Sequence, residues 1–434
     1  MARCIADGRI MKKERFIGLE WMRFLLGLYI VIFHTMHYYP EARGWGNYVS
    51  QVGFFSTSAF FVLSGFLLAH VYLNDNNEMR EPARSFMIKR FSNLYPIHIG
   101  SFLLTIAVMS IIPYLAILPE DAKTSALFTI YDVNNDLGQT DPNALHHFMS
   151  GGEATLNVVL NLLLLHAWNP LYLTFNPPSW SISTLFFFYL VFPFVAPRLM
   201  RVRRSWRALA VTMGIYLIPP LLVIAFTDYG MPETGILHRN PIIRLPEFLA
   251  GILLCGLYAR RRSQGRTLTR NNIWMLVGII VVSITAAELL LPRAHAWYYL
   301  MHNGLLLPAQ LSLIYLCLLV PMPRREWVRR LAGRLGGASL PMFALHVPLY
   351  IIFSRVERVL SGDPGMCFSS FRGCLDAAGG ITIWLYPVFL IMTVILCIIF
   401  QEQFVVRVRN WLQGHLLHRE RKSTHADKMA RPEE

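Results

Sequence analysis

Residues 16–34 read FIGLEWMRFLLGLYIVIFH, and the only acidic, basic or imidazole side chains in this stretch are Glu20, Arg23 and His34. At about 1.5 Å per residue such a run is long enough to cross the hydrocarbon of a bilayer as a helix. Five Lys and Arg precede it in 1–15 and no small-residue cleavage site follows, so it reads as a retained first transmembrane helix rather than a signal peptide. Arg23 and His34 are eleven apart. At about 100° per residue that is three turns plus about 20°, which puts them on one face, about 16 Å apart along the axis. Glu20 lies one turn before Arg23, within pairing reach. One helix face thus presents a carboxylate–guanidinium pair near one boundary and an imidazole near the other.

The rest of the chain has the same character. Of 434 residues, 54% are hydrophobic and only 15% charged, more apolar surface than a soluble core of this size buries. Apolar runs fall at 16–39, 51–73, 92–117, 180–197, 206–226, 241–259, 272–291, 300–321, 338–357 and 380–400. The expected fold is therefore all-α, a polytopic membrane protein with about ten transmembrane helices. The net charge of +14 is not a nucleic-acid signal, because 31 of the 40 Lys and Arg sit in six clusters that alternate with the apolar runs. By the positive-inside rule those clusters, and with them both termini, are cytoplasmic. The expected organisation is a cytoplasmic segment 1–15, one membrane domain 16–400, and a basic cytoplasmic tail 401–434.

Residues 154–167 (ATLNVVLNLLLLHA) are apolar but short, and a crossing there would invert every later loop. They read as re-entrant or surface-lying, within an extracytoplasmic cap 118–179 that contains Glu120, Asp121, Asp132, Asp136, Asp141, His146, His147 and Glu153. Cys367 and Cys374 share an external loop, where an oxidising compartment would allow a disulfide.

Arg23 and Arg244 fall inside apolar runs, at a cost of roughly 2.5–3.5 kcal/mol each on insertion scales, so each needs a partner or a water-filled cavity. Before the third run stands FMIKRFSNLYPIH (86–98), where Lys89, Arg90 and Tyr95 are candidates to hold the phosphates of a cytoplasmic nucleotide; a positive-inside anchor is the plainer reading. The fourth run opens NPPSWSISTL, and Trp180, Ser181 and Ser183 at its start could meet a sugar, or simply cap the helix. No metal site is expected.

Taken in order, these segments resemble the acyltransferase-3 family of bacterial membrane acyltransferases. LEWMR followed by His34 resembles the family's L-D-x-L-R opening with its R-x10-H signature, and FFVLSGFLL (60–68), KRFSNLYP, WSIS (180–183), RLPEFLAG (244–251) and GGASLPMFALHVPL (336–349) resemble further blocks. The resemblance implies transfer of an acyl group, often acetyl, from cytoplasmic acyl-coenzyme A to a hydroxyl of an extracytoplasmic glycan. It implies no tightly bound cofactor, a place in the bacterial inner membrane, and polysaccharide synthesis or export machinery as a neighbour.

In this reading His34 is the general base or acyl carrier, with Glu20 and Arg23 completing the catalytic set. Lys89, Arg90 and Tyr95 hold the coenzyme, and Trp180, Ser181 and Ser183 the acceptor. Two positions depart from the family pattern: Asn93 stands where many members have a second arginine, and Leu185 where many have a glutamate. The alternatives are a secondary transporter or flippase, and a catalytically silent member of the family that serves polysaccharide assembly.

Overall fold

The computed structural model describes residues 15–118, 150–171 and 173–429, with side chains described as far as Leu417. The acidic and histidine cap residues from Glu120 to His147 lie outside the described residues. In hydrocarbon a backbone must satisfy its own polar groups, and the described residues accordingly fold mainly as helices. Among the described residues nine helices are long and apolar enough to cross a membrane, or ten if the bent pair His295–Leu305 and Leu307–Leu318 counts as one span.

The elements that position the site are α1 (Ile17–Thr35), α2 (Phe54–Tyr72), α3 (Ala83–Leu115), α4 (Gly151–Leu162), α5 (Trp180–Met200), α6 (Ser205–Phe226), α7 (Pro241–Ser263) and α8 (Arg270–Leu290). They continue with α9 (His295–Leu300), α10 (Leu307–Leu318), α11 (Glu326–Ser361), α12 (Tyr386–Ile399) and α13 (Val406–Met429). α2 is the central post, buried almost throughout, whereas α6 and α8 turn most of their surface outward to the lipid.

α2 touches α7 through two reciprocal glycines. A Cβ on Gly65 would stand 2.0 Å from the Phe248 carbonyl oxygen, and one on Gly251 would stand 1.9 Å from that of Val62. Without an aqueous hydrophobic drive between them, helices in lipid associate by such close approach of small residues. α1 packs most extensively against α11, where Gly336 leaves room for Glu20.

α4 is a 12-residue helix started by a capping box: the Ser150 hydroxyl accepts from the Glu153 N–H, and the Glu153 carboxylate accepts from the Ser150 N–H at 2.7 Å. It runs antiparallel to α3. Ala154 and Val158 pack near Phe102, and further along the Tyr95 hydroxyl donates to the Leu162 carbonyl at 3.2 Å.

The apolar run at 300–321 is not one straight helix. α9 and α10 meet at 41° across Met301–Leu305, where Asn303 leaves helical geometry and Gly304 adopts φ 140°, a conformation that only glycine takes without strain. The Cys367 and Cys374 sulfurs are bonded to each other.

Candidate active site

α1 carries two polar stations, and both face α11. Near its start Glu20 accepts from Arg23 at 3.4 Å and faces Arg15 at 3.6 Å. Arg23 borders a cavity of about 450 Å³, together with Gly337 and Leu340 of α11, Tyr72 of α2, and Lys89, Arg90 and Asn93 of α3. That volume lies in the range of small-molecule sites. The Arg90 guanidinium lies over the Tyr72 ring, 4.8 Å from its centroid, and bonds the Tyr72 hydroxyl, while Lys89 is paired with Glu81. Glu20 thus pairs with the cation that borders the cavity, and by helix rise Arg23 is about 16 Å and Glu20 about 21 Å from His34.

Near the other end of α1, His34 Nδ1 lies 2.8 Å from Nε2 of His346, and the two rings stack at 5°. His346 Nδ1 lies 2.8 Å from the Met342 carbonyl oxygen, which can only accept. His346 therefore carries its proton on Nδ1 and offers Nε2 as a lone pair. His34 must then donate from Nδ1, which leaves its own Nε2 as a lone pair. His346 is wholly buried and His34 only partly, so the free edge of the dyad belongs to His34. The described residues give neither ring a carboxylate partner. Leu185, where many family members have a glutamate, is buried in the core.

The remaining candidates fall elsewhere. Tyr95 is five residues beyond Arg90, about 140° further round α3, and bonds α4 instead of bordering the cavity. The Ser181 hydroxyl donates to the Pro178 carbonyl at 2.9 Å, and Ser183 donates to that of Leu164 while accepting from the Ala167 N–H, so both are spent on backbone. Trp180 is buried edge-on against Phe61.

Arg244 finds its partners instead of a cavity. It pairs with Glu247 at 2.9 Å and donates to Ser58 Oγ at 2.6 Å, and to the His302 carbonyl and His302 Nδ1 at 2.8 Å each. Tyr216 completes the group by donating to Glu247 at 2.8 Å. The break at Asn303–Gly304 frees the His302 carbonyl, and Arg244 fills that need.

A second histidine pair, His98 and His166, stacks at 5.0 Å, with His98 Nε2 on the Asn161 carbonyl and His166 Nε2 on that of Ser179. Burial, reinforced by His98, pushes His166, which lies between the spans, down to about 3.

Two participants escaped the sequence reading. His346 sits in the block GGASLPMFALHVPL, and the rule that flagged Arg23, an ionisable group inside an apolar run, applies to it equally. Arg409 lies in what reads as a polar tail, yet it lines the cavity.

A family model described as an acyltransferase domain matches residues 16–402. Among curated proteins, the acyltransferase MdmB of Streptomyces mycarofaciens is 24% identical over 375 residues, covering 82% of this chain and 83% of that protein. Protein 2 in the picA locus of Rhizobium radiobacter is 30% identical over 176 residues, covering 39% of this chain and 76% of that protein. No solved structure matches.

Proposed function

Because this chain belongs to the acyltransferase-3 family and is a multi-pass membrane acyltransferase, we propose that it moves an acyl group, acetyl by default, from cytoplasmic acyl-coenzyme A to a hydroxyl of an extracytoplasmic glycan. The basic end of the bundle is the cytoplasmic one, as the positive-inside rule requires. The membrane is the bacterial inner membrane, and the polysaccharide synthesis or export machinery supplies the acceptor.

The observation that carries this reading is the relay from the Met342 carbonyl through His346 to His34, which holds a lone pair on His34 Nε2. A sugar hydroxyl is a poor nucleophile at neutral pH, and a neutral imidazole is the group to take its proton. In the base form of the reaction the hydroxyl proton passes to His34 Nε2 as the oxygen bonds the thioester carbon. The carbon–sulfur bond then breaks, and the thiolate leaves with the proton that His34 returns. In the carrier form, Nε2 itself bonds the acyl carbon as the carbon–sulfur bond breaks; the acceptor oxygen then bonds that carbon as the carbon–nitrogen bond breaks, and its proton passes through solvent to the released thiolate.

The cavity supports a donor with a charged head and a long arm. Its cations border one end of α1, and the imidazole is about 16 Å away at the other. Such a donor is held by the head and reacts at the tip.

The test is mass spectrometry of surface and secreted glycans from cells with wild-type protein, with none, and with His34→Ala. An ester-sized mass that appears only with wild type is expected, and its value names the acyl group. Acylation by a normally inserted His34→Ala protein at near wild-type level would remove both forms of the mechanism. Three identical profiles would remove the glycan as acceptor.

A further inference from the structure

The cavity at the basic end is not closed by the transmembrane bundle alone. α12 continues through a wide turn, Phe400–Val405, into α13, and α13 packs along α3. The elbow is pinned on α11, where Arg334 meets the Glu402 carboxylate through two bonds of 2.6 and 2.9 Å. It is pinned again on α3, where Gly100 leaves room for the Phe400 ring. α13 thereby brings Arg409, Asn410 and Gln413 to the cavity wall.

Four cations border this space, and no Asp or Glu among the described residues does. Three of them already have partners: Arg23 has Glu20, Lys89 has Glu81, and Arg90 has the Tyr72 hydroxyl. Arg409 makes only a long bond of 3.4 Å to the neighbouring Asn410 amide oxygen, and no described carboxylate pairs with it. Arg409 also lies beyond the roughly 20 residues of the last span that cover hydrocarbon, on the side away from His34. In the reading above the donor reacts at His34, so its far end would lie on the side of the membrane where Arg409 stands.

We propose that α13 is a wall of the donor site and that Arg409 binds the phosphomonoester at the far end of the donor, the 3′-phosphate of coenzyme A. This rests on the acyl-coenzyme A reading above. Guanidinium is suited to the role because its planar fork matches a phosphate through two parallel bonds. Asn93 lines the same cavity and is neutral, so a guanidinium placed there can substitute for the one on α13.

The experiment measures equilibrium binding of coenzyme A and of 3′-dephospho-coenzyme A to the full-length protein in zwitterionic nanodiscs. It compares wild type, Arg409→Gln, and Arg409→Gln combined with Asn93→Arg. Loss of one charge-assisted contact should weaken coenzyme A roughly tenfold or more in Arg409→Gln. The dephospho compound should bind both proteins alike, and Asn93→Arg should restore much of the loss.

Unchanged coenzyme A affinity in Arg409→Gln would overturn the assignment. Equal weakening of both ligands would overturn the 3′-phosphate as the group Arg409 holds. Wild type that binds neither ligand, but whose cavity cations are protected by phosphatidic acid, would overturn the acyl-coenzyme A reading itself and assign the site to a lipid phosphate.

Discussion

Arg23 and Arg244 both sit in apolar stretches, and the protein resolves the cost of each in opposite ways. Arg244 is 0% exposed, and both of its terminal nitrogens meet acceptors drawn from α2, α7 and the broken α9–α10 segment, while its Nε stays buried without one. Arg23 is 28% exposed, paired loosely with one carboxylate, and opens onto a cavity. A buried charge whose partners are all protein groups holds helices together. One that is partly exposed, with room beside it, is placed for a ligand. Position in the membrane alone does not separate the two; full enclosure by protein partners, against an open space beside the group, does.

The largest effect should come from breaking the enclosed set. Arg244→Met leaves Glu247 buried without its cation, and removing one member of a buried pair costs about 3–5 kcal/mol. Thermal unfolding in detergent should show that loss, or no monodisperse protein should be recovered. Arg23→Gln should stay within about 1 kcal/mol of wild type, as partly exposed pairs do, while its affinity for coenzyme A falls. If both variants unfold alike, the distinction fails.

A second test separates orientation from packing at the other end of α1. His346→Phe keeps the ring and removes the acceptor, so His34 loses the bond that fixes its proton on Nδ1. A decrease in kcat of about a hundredfold is expected, with KM for the acyl donor little changed. His346→Gln, which can still accept from His34, should recover part of it and leave the pH profile closer to wild type. Equal loss in Phe and Gln would make His346 a packing residue.

The smallest effect concerns acid stability. The fold holds His166 neutral, with its pKa down to about 3, whereas an unfolded histidine takes up a proton near 6.5. Its stabilising contribution is complete above about pH 6.5 and is lost progressively as pH falls toward 3. At pH 5 that loss is about 2 kcal/mol. His166→Gln keeps a donor for the Ser179 carbonyl and should flatten the slope of melting temperature between pH 7 and 5, a change that the open, solvated Arg23 station should not share.

The ten crossings were legible because hydrocarbon imposes length and apolarity on every span, and Leu, Ile and Phe report both directly. The bend at Gly304 was not, since its cause, the need of Arg244 for the His302 carbonyl, lies about sixty residues away in the chain. At the site, Arg23 and His34 could be placed on one face of α1 by helical period alone. His346 could not be paired with His34 by any local rule, because the two are 312 residues apart. Tyr95 was drawn in by its nearness in sequence to Arg90, and helical rotation took it away. Arg409 was hidden by the polarity of its surroundings, which reads as tail whether or not the helix folds back.

The backbone contact between Gly65 and Gly251 bears on how substrates arrive. Alternating access requires one half of a bundle to rock against the other, usually along seams where side chains can slide. Here α2 and α7 meet main chain to main chain, with no side chain between them to yield, and the Arg244–Ser58 bond ties the same pair at another height. Mechanically this pair is a fixed pillar. In the function proposed above, donor and acceptor would approach His34 from opposite sides of that stationary pair.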